Sequence, residues 1–189
     1  MSIPGAFFLI FLAVCRLAWM IQHGPTPLGV ILFAQAGLAG ILMIYRRPAN
    51  ITAPKRVEII AWLSAALPLS FSTPASGGLL WLDLLPVPGL ILNLWALISL
   101  GSVFGISPAH RGLVTSGPYH WLRHPMYAGE LLSLLGGLLA AFRIWNLVIL
   151  LVFAASLIWR IHWEERVLNR NGYSAYARHI RWRLIPGIW

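Results

Sequence analysis

Two short stretches hold most of the residues able to do chemistry. In GPYHWLRHPMYAGE, Gly117 to Glu130, fourteen residues carry two tyrosines, two histidines, an arginine, two prolines and a carboxylate. In RIHWEE, Arg160 to Glu165, an arginine and a histidine precede two adjacent acids. Imidazole and phenol can move protons when placed within hydrogen-bond reach of a reacting group. An arginine can hold a carboxylate or phosphate bidentately. Arg160 and Glu164 are four apart, on one helix face, where an ion pair can form. Adjacent acids at the end of an apolar run are costly to bury alone, so Glu164 and Glu165 are either solvated or ligands.

Other chemistries lack their residues. A catalytic metal built from His120, His124, His162 and the acids is not expected, since no His-x-x-x-His pair has a supporting third ligand at a recognised spacing. Ser107 and Ser116 show no nucleophile-elbow pattern, and no Rossmann fingerprint occurs. Cys15 is the single cysteine, which rules out a disulfide framework.

The elements that must position these residues are membrane helices. Of 189 residues, 59% are hydrophobic and 10% charged, far from a soluble domain's balance. Apolar runs mark spans at Pro4–Ile21, Leu28–Tyr45, Val57–Phe71, Val87–Phe104, Met126–Phe142 and Ile144–Trp163. The expected fold is therefore all-α: a polytopic transmembrane bundle of five or six helices. Val57–Phe71, with Glu58 and Pro68, is the weakest span. The first run lacks a basic leader and reads as a retained span rather than a signal peptide.

Basic residues fix the expected orientation. Arg46, Arg47, Lys55 and Arg56 fall in one connection, Arg111 and Arg123 in another, and Arg166, Arg170, Arg178, Arg181 and Arg183 in the tail. The alternate connections hold only Arg143. With six spans, all the basic segments share one side, placing both termini and both polar stretches in the cytoplasm. The net charge of +9 then suits anionic headgroups rather than nucleic acid. No obligate protein partner is readable. Arg16, inside the first span, either pairs within the bundle or snorkels.

A short turn at Arg143–Asn146 makes the last two spans an antiparallel hairpin, so RHPMY and RIHWEE meet at its open end. Pro125 pushes His124 toward extended backbone and predicts a helix beginning at Pro125. Gly136 and Gly137 predict close packing against the sixth span.

LVTSGPYHWLRHPMY, then an R-x-x-x-E-E element, NGYSAYARHI and a closing RLIPGIW resemble the isoprenylcysteine carboxyl methyltransferase family, with phospholipid N-methyltransferases as more distant cousins. The resemblance covers about Leu100 to Trp189. It implies an integral-membrane methyltransferase using S-adenosylmethionine, with N-terminal membrane helices over 1–99, a catalytic region over 100–189, and a cytoplasmic-side cofactor pocket formed by the C-terminal half. Carried over residue by residue, it implies cofactor contacts from Arg111, Gly112, Leu113, Val114, Tyr119, His124, Pro125, Met126 and Tyr127, with Glu164 or Glu165 as the acid. Arg160 is implied on the substrate side, and Arg160, His124 and Tyr127 as the catalytic set. Where the family's better-known enzymes have a histidine, this chain has Arg111.

The implied acceptor is lipophilic, a carboxylate such as isoprenylcysteine in first place, because a carboxylate needs no general base. Two alternatives stand beside it. A phospholipid amine is one. The other is an NADPH-dependent reductase of the membrane sterol type, whose R-H-P-x-Y-x-x-E segment Glu130 completes. A non-enzymatic scaffold would leave the clustering of polar residues unexplained.

Overall fold

The computed structural model describes residues 3–71, 82–169 and 173–189. Arg170, Asn171 and Gly172, and most of the connection before the fourth run, lie outside the described residues.

The chain folds as an all-α bundle. Helices α1 (Ile3–His23) and α2 (Pro27–Ile44) form a hairpin. Its turn is fixed by Thr26, whose hydroxyl accepts from the Gly29 N–H at 3.0 Å, with Pro27 pre-set for the first helical position. Small residues bring the pair together: a side chain on Gly40 would collide with Ile10. Phe7, Phe11 and Val14 face outward, as lipid contact requires. Arg16 is also exposed, so it does not pair within the bundle.

After α2 the chain makes strand β1 (Ile51–Thr52), which pairs antiparallel with β2 (Ala109–His110), Ile51 opposite His110. Arg47 N–H donates to Ser102 at 2.8 Å and Ala53 N–H to Pro108 at 3.1 Å. This strap ties the first half of the chain to the loop that carries Arg111.

Helix α3 (Lys55–Ala66) is continued by a 3-10 turn at Leu67–Ser70. It starts beside the strap and ends with Phe71 against Gly137, at the far end of the bundle. Helix α4 (Val87–Leu100) returns to the strap, α5 (Pro125–Ala140) leaves it, and α6 (Ile144–Leu168) comes back. Among the described residues, four segments are long and apolar enough to cross a membrane: α1, α2, Leu82–Val103 and α6. Helix α5 is a shorter apolar helix. Val57–Phe71, expected as a full span, is instead twelve α-helical residues plus the 3-10 turn.

Gly136 and Gly137 do not pack on α6 as expected. A side chain on Gly136 would strike the Leu85 and Pro86 backbone at the start of α4, and one on Gly137 would meet the Phe71 ring. Gly89 and Gly129 extend the same α4–α5 seam, each reaching the other's backbone. The α5–α6 hairpin closes as expected, with Asn146 donating to Ala141 at 3.2 Å. Its core is Leu134, Leu138, Leu150, Phe153, Leu157 and Ile161.

Helix α7 (Tyr173–His179) and the tail fold back over the hairpin's open end. Arg123 N–H donates to Trp182 and His124 N–H to Arg183.

Candidate active site

Helix α5 begins at Pro125, as the sequence predicts, with His124 in non-helical backbone before it. That geometry sets His124 and Tyr127 one turn apart, with rings stacked 5.7 Å between centroids. Opposite them is the last part of α6. Tyr127 donates its hydroxyl to Glu164 at 2.8 Å. The His124 ring lies between the two acids, Nδ1 at 3.8 Å from Glu164 and Nε2 at 3.5 Å from Glu165.

The two acids are not equivalent. Glu165 is taken up by the tail: Arg183 holds it through Nε at 3.0 Å and Nη2 at 2.9 Å, Arg123 reaches it at 3.2 Å, and Tyr173 donates to it at 3.1 Å. Glu164 keeps 31% of its side chain exposed and lines a cleft of about 730 Å³, mouth included.

Of the sequence-predicted residues, Arg111, Gly112, Leu113, Val114, Tyr119, His124, Met126, Tyr127 and Glu164 all line this cleft. Pro125, Glu165 and Arg160 do not. Pro125 is buried at the start of α5. Arg160 is 2% exposed, packed with its guanidinium over the Tyr127 ring at 4.7 Å and donating Nη2 to Ile106 at 3.1 Å. The expected Arg160–Glu164 ion pair is absent among the described residues, because the Glu164 carboxylate turns to Tyr127 and His124. Arg160 therefore backs the cleft wall through Tyr127.

Cleft residues that sequence reasoning left unassigned are Phe104, Gly105, Ser107, Arg123, Leu168, Tyr173 and Tyr176. The spacing in GYSAY could have pointed to the two tyrosines, which lie three apart on one helical face. Tyr176 shares its hydroxyl proton between the Tyr119 carbonyl at 2.7 Å and the Leu122 carbonyl at 3.3 Å. Arg123 donates Nε to Ile180 at 2.6 Å and Nη2 to Ala177 at 2.5 Å. Both contacts clamp the tail over the cleft.

The cleft carries opposite charges among polar and apolar side chains. Gly112, at φ 131°, supplies the backbone conformation that lets the Arg111–Val114 turn line the cavity. Burial pulls the Arg111 guanidinium down to about 10, with repulsion from Arg46 adding to it and Glu58 and Glu164 offsetting part. Burial raises the Tyr119 phenol, and the Glu164 charge pushes it further. Tyr173 is raised by burial and by Glu165, and burial pushes Tyr176 up to about 12 against the opposing field of Arg123. All three phenols therefore stay protonated donors at neutral pH.

Among the described residues no cluster of three metal-ligating side chains occurs. No curated protein matches the chain. Residues 83–175 do match the family model described as phospholipid methyltransferase. The matched segment contains both the Arg111–Tyr127 wall of the cleft and the α6 wall with Glu164, and it supports an integral-membrane methyltransferase.

Proposed function

We propose that this protein is an integral-membrane, S-adenosylmethionine-dependent methyltransferase acting on the polar head of a lipophilic acceptor at the cytoplasmic face. The observation that carries this reading is the cleft itself, in which Glu164, Arg111 and several protonated phenols line one cavity of mixed polar and apolar surface. A zwitterionic sulfonium nucleoside matches that donor set. Glu164 suits its ammonium or ribose hydroxyls, a backbone N–H of the Arg111–Val114 turn suits its carboxylate, and Tyr119 suits its base. When bound, it supplies an activated methyl group for in-line displacement.

The chain's own residues then supply position and proton handling. Tyr127 is fixed from three sides, by Glu164 at its hydroxyl, by Arg160 on its ring and by the stacked His124. Such fixed placement of donor and acceptor accounts for much of the rate in a displacement reaction. The clamped tail, held through Glu165, Arg123 and Tyr176, keeps water from the reacting atoms.

Two acceptor classes remain in view. A prenylated carboxylate needs no general base, but Arg160, implied on its side of the site, lies behind the cleft wall. The family match favours the other class, a phospholipid amine. An ammonium must lose a proton before its nitrogen attacks the methyl carbon as the methyl–sulfur bond breaks. His124, held between Glu164 and Glu165, is placed to take it.

The test is calorimetry on detergent-purified protein with S-adenosylhomocysteine and NADPH titrated separately. Saturable binding of S-adenosylhomocysteine, weakened about tenfold or more in Glu164→Gln, is expected, since hydrogen bonds to charged groups contribute roughly 1.5–3 kcal/mol. Binding of NADPH alone would replace this reading with the reductase.

A further inference from the structure

Arg111 is 9% exposed, yet it has no hydrogen-bond acceptor and no ion-pair partner among the described residues, and its Nε is fully enclosed. Proteins rarely enclose a guanidinium without pairing it, because an unmatched buried charge is costly. Its seat is specific. A side chain at Gly105 would come within 2.8 Å of Arg111 Nη1, so glycine there leaves room for the guanidinium to lie on the cleft wall.

A second cation is delivered from the other half of the chain. The strap that bonds Arg47 to Ser102, Asn50 to His110 and Ala53 to Pro108 lays the segment beginning at Arg46 alongside the loop of Arg111. Arg46 follows the end of α2, where the apolar run closes with Ile44 and Tyr45 both exposed. Glu58 is the acid that offsets this pair, and it ion-pairs with neither. Glu164 also acts on Arg111 from across the cleft without an ion pair, so both guanidiniums keep hydrogen-bond donors free for an anion.

We propose that Arg46 and Arg111 form an anion subsite at the lipid-facing rim of the cleft, and that it holds the phosphate of a phospholipid methyl acceptor. The assignment rests on the methyltransferase reading and names its substrate class. A phosphate presents oxygens on several sides, so guanidiniums arriving from separate segments can both engage it. A cofactor carboxylate is the other source of such an anion. The position of Arg46, beside lipid-facing residues rather than on the inner wall, assigns the pair to the acceptor.

The experiment uses the full chain in dodecyl maltoside. Dihexanoyl phosphatidylethanolamine, below its micellar concentration, is titrated with and without saturating S-adenosylhomocysteine, and dihexanoylglycerol serves as the phosphate-free control. Arg46→Gln is expected to weaken the phospholipid about tenfold or more, to leave dihexanoylglycerol unaffected, and to keep S-adenosylhomocysteine within about twofold; Arg46→Lys restores part of the loss. Unchanged phospholipid affinity in Arg46→Gln overturns the subsite. An equal loss of S-adenosylhomocysteine affinity assigns the anion to the cofactor and overturns it as well. If the unmutated protein binds no S-adenosylhomocysteine, the methyltransferase reading fails, while the effect of Arg46→Gln on phospholipid alone still decides the subsite.

Discussion

At the scale of single residues, roles are set by partners rather than by residue type. Glu164 and Glu165 are neighbours in sequence, but one helical step of about 100° turns the first to the cleft and the second to Arg183, Arg123 and Tyr173. Tyr176 offers a prediction at this scale. Its folded pKa, about 12, lies above the ordinary value near 10. The neutral phenol is thus favoured by folding, its contribution is complete below about pH 10, and it is lost as pH rises toward 12. Melting curves should show the unmutated protein losing its advantage over Tyr176→Phe across that window, after starting about 1 kcal/mol more stable at pH 8. A gap that persists unchanged to pH 11.5 would rule out the shared hydroxyl as its source. The sequence left the two acids interchangeable because what separates them, a tail arginine eighteen residues downstream, is a tertiary partner that no local pattern reveals.

At the scale of elements, the start of α5 and the α5–α6 hairpin were legible, because Pro125 dictates backbone conformation locally and the turn at Arg143 is short. The seam of α5 was not. Adjacent glycines announce close approach without naming the neighbour, and the neighbour proved to be α4, through Gly89, Gly129 and Gly136. The two glycines of the pair should therefore respond differently to the same change. In Gly136→Ala the new methyl meets the fixed backbone of Leu85 and Pro86, and a loss of about 1–3 kcal/mol is expected. In Gly137→Ala it meets a Phe71 ring carbon at 3.1 Å, which a small ring rotation relieves. Thermal stability in one detergent should rank Gly136→Ala well below Gly137→Ala. Equal losses would mean that α4 and α5 are not the rigid pair described here. The β1–β2 strap left no trace in the sequence, since two-residue strands carry no periodicity to read.

At the scale of the whole molecule, four long apolar segments and the shorter α5 run between the ends of the bundle, and α3 with its 3-10 turn runs beside them. Helix α5 spans about 24 Å, and α3 with its 3-10 turn about 26 Å, at 1.5 and 2.0 Å per residue, against about 30 Å of hydrocarbon. Both short passages begin or end beside the cleft, while α6 runs on for a further two turns. These lengths predict a cleft level with the membrane surface, where a lipid head can enter sideways. An even number of passages, with the basic segments at the cleft end, predicts that this end faces the cytoplasm, and site-directed labelling tests it. In a Cys15→Ser background, His23→Cys and Arg143→Cys should react with an impermeant maleimide added to intact cells. Arg56→Cys and Arg178→Cys should react only after permeabilisation. Labelling of Arg56→Cys from outside would mean that α3 does not complete a crossing, and the orientation argument, which depends on an even number of passages, would fall with it.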